Sequence, residues 1–252
     1  MKTIKQNKLI LGLLMLLSVL AISSEIYAES QEIETVTIIG KKADVKELSG
    51  SGQIVSNEEL LKAMDTDIHK ILSAVPGVYF RTEDGYGLRP NISIRGTSID
   101  RSAKITLMED GILVTPAPYT SSSAYYFPTT GRINSVEVLK GPSSISQGPS
   151  TIGGAINMIS TPIPEVNSGK FTQEFGQNGM LRTHAYYGGV SGNLGGLVEI
   201  HDHKTDGFDS IANVGGDTGF NKSDILIKAR YETGDHSLTF KMLEVDEVSD
   251  QS

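Results

Sequence analysis

Two hydrophobic periods divide the chain. From Asp224 to Glu232 the residues Ile225, Ile227, Ala229 and Tyr231 alternate with Leu226, Lys228, Arg230 and Glu232. From Ser237 to Leu243 the residues Leu238, Phe240 and Met242 alternate with Ser237, Thr239 and Lys241. A period of two places one set on each face of a strand, so each segment predicts a strand with one apolar and one mostly polar face. Weaker versions run over Lys170–Gly176, Leu181–Val190 and Gly196–His203, joined by turns such as Gln177-Asn178-Gly179 and Ser191-Gly192-Asn193. Strands of about ten residues with this pattern suit an outer-membrane barrel, apolar toward lipid and polar toward the lumen. A soluble antiparallel sandwich with one wet face has the same period.

Upstream, from Gly52 to about Ile163, the pattern is of short mixed elements. Ser56-Asn57-Glu58-Glu59 has the spacing of a capping box, in which Ser56 and Glu59 satisfy each other's backbone amides, and a helix through Leu60, Leu61 and Met64 follows. A second helix from Thr66 or Asp67 places Ile68, Ile71, Leu72 and Val75 on one face and stops at Pro76-Gly77. Strands are predicted at Val78–Arg81, Ile92–Arg95, Ile105–Met108, Ser135–Leu139 and Gly154–Ile159, set apart by Gly, Pro, Ser and Asp clusters. The zone reads as a compact α+β domain.

The first 28 residues stand outside this scheme. A basic start (Lys2, Lys5, Lys8), an apolar run of 14 residues from Leu9 to Ile22 and a polar stretch ending Ile26-Tyr27-Ala28 form a secretory signal. The run is short of the ~20 residues of a spanning helix. Export without a single cysteine fits a bacterial envelope better than a disulfide-stapled extracellular module, and it favours the barrel over the sandwich. The same absence excludes thiolate metal sites, iron–sulfur clusters and cysteine nucleophiles. A net charge of −8 with no basic run argues against nucleic acid as a partner.

Between the signal and the α+β zone the chain is polar except for Glu34-Thr35-Val36-Thr37-Ile38-Ile39-Gly40, rich in β-branched residues. Such an island is either the first strand of the domain or a peptide kept free for another protein to add to a sheet edge.

Four ordered motifs carry a family resemblance. They are Ile94-Arg95-Gly96, Leu107-Met108-Glu109-Asp110-Gly111-Ile112, the run from Arg132-Ile133-Asn134 through Val136-Glu137-Val138-Leu139-Lys140-Gly141-Pro142 to Ser144, and Gly153-Gly154-Ala155-Ile156-Asn157-Met158-Ile159-Ser160-Thr161. Together they resemble the plug domain of TonB-dependent outer-membrane receptors. Arg101-Ser102 and Ala117-Pro118-Tyr119 resemble the ferric dicitrate subgroup. One local departure is Gln147 before Gly148, where the family usually has an aromatic residue.

The resemblance implies an α+β plug domain, a small mixed sheet with short helices, followed by the first antiparallel strands of a 22-stranded transmembrane β-barrel. It implies residues 1–28 as signal peptide, 29–51 as TonB-box segment and linker, 52–163 as plug, and 164–252 as a partial barrel of about five strands. Five strands cannot close in lipid, because open edges leave amides and carbonyls unsatisfied, so the chain is expected to be a fragment or a truncated product. The few residues between Ala28 and Glu34 leave no room for the N-terminal signalling domain of some ferric dicitrate receptors.

By resemblance, Glu34, Thr35, Val36, Thr37, Ile38 and Ile39 form the TonB box, which pairs as a strand with the C-terminal domain of TonB, energised by ExbB and ExbD. The implied function is active uptake of a ferric chelate, a siderophore or ferric dicitrate, across the bacterial outer membrane. Arg81, Arg89 and Arg101 are candidates to neutralise an anionic chelate, with Tyr119, Thr120 and Ser121 adding hydrogen bonds and an aromatic face. The bland alternative is that these arginines pair with wall carboxylates or plug neighbours. Another cargo (cobalamin, haem, a glycan, a nickel chelate) or a passive plugged pore or adhesin are the competing functions. Arg95 and Glu137 read as structural charges.

Other chemistry is weak. His201 and His203 share a strand face, which a polar lumen explains without a metal. Asp65 and Asp67 sit where carboxylates cap a helix. Ser143, Ser144 and Ser146 lack a nucleophile elbow, and residues 148–153 lack the Gly-Lys-Ser/Thr of a phosphate loop. No enzyme, cofactor or resident metal is expected.

Overall fold

The computed structural model describes residues 37–39, 48, 50–63, 67–114, 126–209 and 217–249. Strand β1 (Ser51–Val55) leads into helices α1 (Asn57–Ala63) and α2 (Ile68–Ser73), then strands β2 (Val78–Arg81), β3 (Asn91–Ile94), β4 (Ile105–Glu109), β5 (Ile112–Leu113), β6 (Ile133–Lys140) and β7 (Gly154–Ser160). Five of these form a mixed sheet in the order β1-β6-β7-β4-β5, with β4 and β7 parallel and the other neighbours antiparallel, while β2 and β3 make a separate hairpin.

Local chemistry accounts for the element ends. Glu59 accepts both the N–H and the hydroxyl of Ser56, at 2.8 and 2.6 Å, in front of α1. Asp67 caps α2 by accepting the His69 N–H at 2.9 Å. The β4–β5 turn consists of Asp110 and Gly111, at φ 50° and 75°, the left-handed pair that a two-residue hairpin needs. One face of the sheet packs Ile105, Leu107, Val136, Val138, Ile156 and Met158 against Ile68, Leu72 and Val75 from α2 and the turn after it. Gly154 is obligatory here: a Cβ at that position would run into the Leu139 carbonyl oxygen.

Two strands went unread in the sequence. β1 has only Ile54 and Val55 to mark it, and its place comes from pairing with β6, a tertiary contact with no local signature. β5 is two residues long.

The remaining strands, β8 (Ser168–Phe175), β9 (Leu181–Ser191), β10 (Leu194–Thr205), β11 (Phe220–Thr233) and β12 (His236–Ser249), form a five-stranded antiparallel meander in sequence order. Its two faces decide between barrel and sandwich. Leu238 and Phe240 are 72% and 61% exposed, whereas Lys228 and Arg230 on the opposite face of the adjoining strand are 8% and 7% exposed. Ile225, Val198 and Phe171 are exposed as well, and Glu199, His201, Lys222 and Asp224 are buried against the α+β domain. A soluble sheet buries its apolar face; this one turns that face outward and its charges inward, as a barrel wall around a plug does. The described strands form an open segment of such a wall.

Candidate functional site: plug, wall and coupling segment

The α+β domain meets the wall through buried ions. Arg132, fully buried at the start of β6, grips Glu109 with both terminal nitrogens at 2.6 and 3.0 Å and donates its Nε to Asp224 of β11 at 3.0 Å. The Tyr126 hydroxyl accepts from Arg132 at 3.0 Å and donates to Glu109 at 3.2 Å. From β12, Lys241 reaches Glu109 at 2.5 Å and Asp110 at 2.6 Å, and Lys228 of β11 lies 3.3 Å from Asp110. Asp110 is fixed from the other side by the Ser160 N–H and hydroxyl.

These pairings set the ionisation. Burial would raise the Glu109 carboxyl, but the Arg132 charge and hydrogen bonds, helped by Lys241, outweigh it and hold the group below its ordinary value. Burial likewise opposes ionisation of Asp110, yet Lys228 and Lys241 pull it down to about 2. Burial and the nearby Glu109 charge push Tyr126 up, so it stays a neutral donor.

Outside this network, the loop after β2 carries Arg89, with Arg81 at its start, and Arg101 lies in the segment that follows β3. Asp84 organises the loop by accepting the N–H groups of Tyr86, Gly87 and Arg89 at 2.8, 2.6 and 2.9 Å. Tyr86 packs on Phe208 and Phe220 of the wall, with ring centroids 5.5 and 5.0 Å away. Arg81 and Arg101 are brought together: each lies 3.0 Å from Glu83, and Arg81 is 3.6 Å from Asp100. They remain 52% and 43% exposed. Arg89 turns away and pairs with Glu247 of β12 at 2.7 Å. Tyr119, Thr120 and Ser121 lie outside the described residues.

Of the predicted coupling segment, Thr37, Ile38 and Ile39 are described, and Glu34, Thr35 and Val36 lie outside the described residues. Sequence propensity predicts extended backbone here, but Ile38 and Ile39 form a bend. The Ile38 N–H donates to Glu137 Oε2 at 2.7 Å and the Ile39 N–H to Oε1 at 3.1 Å. Ile39 is buried among Met108, Leu139 and Ala155. Here local β-propensity yields to a tertiary acceptor.

The histidines sit on the inward side of the wall. The His201 and His203 ring centroids are 6.3 Å apart, and His184 contacts Glu199 at 2.7 Å. Among the described residues no group of three or more His, Asp or Glu side chains is placed to hold a metal.

Several site residues escaped the sequence reading. Glu109 and Asp110 lie inside a recognised motif, but their partners Lys228 and Lys241 were visible only as charges on the polar faces of two strands. Inward-facing lysines opposite a carboxylate-bearing motif are the signal that points to them. Glu83 carried no signal apart from lying between two arginines.

The family model described as TonB-dependent Receptor Plug Domain matches residues 44–155. Among curated relatives, the vitamin B12 transporter BtuB of Photobacterium profundum is 26% identical over 229 residues, covering 87% of this chain and 36% of its own. BtuB of Vibrio vulnificus is 27% identical over 195 residues, covering 73% and 30%. The chain therefore spans about a third of the length of these relatives. Among solved structures, the unliganded ferric citrate transporter FecA superposes with a TM-score of 0.71 at 19% identity, over 88% of this chain and 35% of that one. The ferric yersiniabactin uptake receptor FyuA from Yersinia pestis does so with 0.67 at 24%, over 82% and 33%. These relatives are transporters and receptors, not enzymes. Over residues 44–155 the chain carries a plug domain of the TonB-dependent receptor family, and its mixed sheet with the unclosed antiparallel wall that follows shares the fold of these solved receptors.

Proposed function

We propose that the chain serves TonB-coupled uptake of an anionic ferric chelate, a siderophore or ferric dicitrate, across the bacterial outer membrane. The observation that carries this reading is the side-by-side placement of Arg81 and Arg101 on Glu83. Two half-exposed guanidiniums held by one carboxylate make a site that carboxylate or phenolate oxygens of a chelate enter by displacing Glu83, keeping charge balance. Arg89, tied to Glu247, serves plug–wall docking instead. Residues 34–39 are the segment offered to TonB, and residues 1–28 the export signal that delivers the chain to the envelope. Energy comes from the inner membrane through TonB with ExbB and ExbD.

A second cargo reading, cobalamin, is favoured by the similarity to the two vitamin B12 transporters. The reading that makes the plug a passive seal or adhesin requires no mobile coupling segment. Uptake of radiolabelled ferric citrate, ferric siderophores and cobalamin is compared in cells whose own receptors are deleted and that express the full-length receptor. Iron uptake lost on Arg81→Ala with Arg101→Ala supports the proposal. Cobalamin uptake indifferent to both substitutions establishes the second reading.

A further inference from the structure

One buried carboxylate holds two consecutive main-chain donors of the segment assigned to TonB. Glu137 is 1% exposed and sits on β6 opposite Asn157 of β7. Its Oε2 accepts the Ile38 N–H at 2.7 Å, its Oε1 the Ile39 N–H at 3.1 Å, and Asn157 Nδ2 donates to Oε2 at 3.0 Å. Asn157 is itself fixed, because its Oδ1 accepts the Gly111 N–H at 2.9 Å. Next to this cradle Ile39 is 7% exposed in the small cluster of Met108, Leu139 and Ala155.

The geometry has a consequence for strand pairing. In an extended strand successive N–H groups point to opposite sides, so two neighbours reach one carboxylate only when the chain is bent. Ile38 and Ile39 are in that bend. A partner that adds this segment to its own sheet must take the same donors and must straighten the same backbone. Docking on Glu137 and pairing with another protein are therefore mutually exclusive.

We propose that Glu137, oriented by Asn157, is the catch of the coupling segment: a positioning residue that sets how often residues 37–39 are free to pair. The inference rests on the reading of residues 34–39 as the TonB-binding segment, and it adds the group that competes with TonB for them. Ile39 supplies the apolar half of the hold. The charged acceptor supplies the directional half, since hydrogen bonds to a carboxylate are about twice as strong as those to a neutral amide.

The test uses the full-length receptor folded in a bilayer mimic, with amide hydrogen exchange at Ile38 and Ile39 and titration with the purified C-terminal domain of TonB. Glu137→Gln is expected to speed exchange at both amides about tenfold and to tighten TonB binding by a similar factor, while amides of β6 and β7 keep their protection. Unchanged exchange at Ile38 and Ile39 in a folded Glu137→Gln chain overturns the proposal. Should that substitution melt β6 and β7, Ile38→Pro removes one donor at a half-buried residue on the edge of the small cluster, leaving every residue of β6 and β7 in place. Exchange at Ile39 must then accelerate, and if it does not the proposal falls. Faster exchange with no TonB binding in any chain keeps the catch and overturns the TonB assignment, so the two failures are distinct.

Discussion

Arg132 Nε lies 3.0 Å from Asp224 Oδ2, joining a fully buried guanidinium of the plug to a carboxylate of the wall. Neither charge has water to fall back on, so losing Arg132 strands Asp224 and takes from Glu109 its two-point partner. Arg132→Met is expected to cost about 3–5 kcal/mol of stability in denaturant unfolding of the bilayer-bound full-length receptor. Asp224→Leu should cost less, because Arg132 keeps its two-point pairing with Glu109.

The Asp110 carboxyl titrates at about 2 against an ordinary 3.8, held there by Lys228 and Lys241. A depressed pKa contributes stability that is fully present above the unfolded value and lost as pH falls through the folded one. Acidification from pH 4 toward pH 2 should therefore remove about 2 kcal/mol from plug–wall docking. Acid titration of wild type and Asp110→Asn, followed by tyrosine fluorescence, checks this: the substituted chain should be less stable at pH 6 and show a flatter profile below pH 4.

The Asp67 side chain satisfies the His69 N–H at the start of α2. Asp67→Ala is expected to destabilise the plug by about 1 kcal/mol, read as a shift of the denaturation midpoint with unchanged slope.

Phe240 faces outward on β12 and Lys241 faces the plug, one residue apart. Phe240→Arg should lower stability in a bilayer by about 2–4 kcal/mol if that position lies near the midplane. Lys241→Met should leave insertion intact and loosen the plug. Insertion kinetics and protease access to the plug separate the two effects.

The architecture was legible where it is written locally. Alternation over residues 224–243 marked β11 and β12, and turn residues marked the hairpins between wall strands. The plug motifs located β4, β6 and β7. What stayed hidden depends on contacts distant in sequence. β1 exists because β6 offers it an edge, and Ile38 and Ile39 bend because Glu137, about a hundred residues away, captures their amides. The arginine site was half legible. Arg81, Arg89 and Arg101 were singled out by charge and by the outward loops the resemblance implies, neither of which tells that Glu83 gathers two of them while Glu247 takes the third.

The central proposal is that residues 34–39 couple the full-length protein to TonB by strand pairing. The most direct measurement is the affinity of the purified TonB C-terminal domain for the folded full-length receptor, beside one carrying Val36→Pro and Ile38→Pro, which lacks strand donors at those positions. Saturable binding to the unaltered chain and its loss in the proline chain is the predicted result. Equal binding to both chains, or binding to neither, would contradict it.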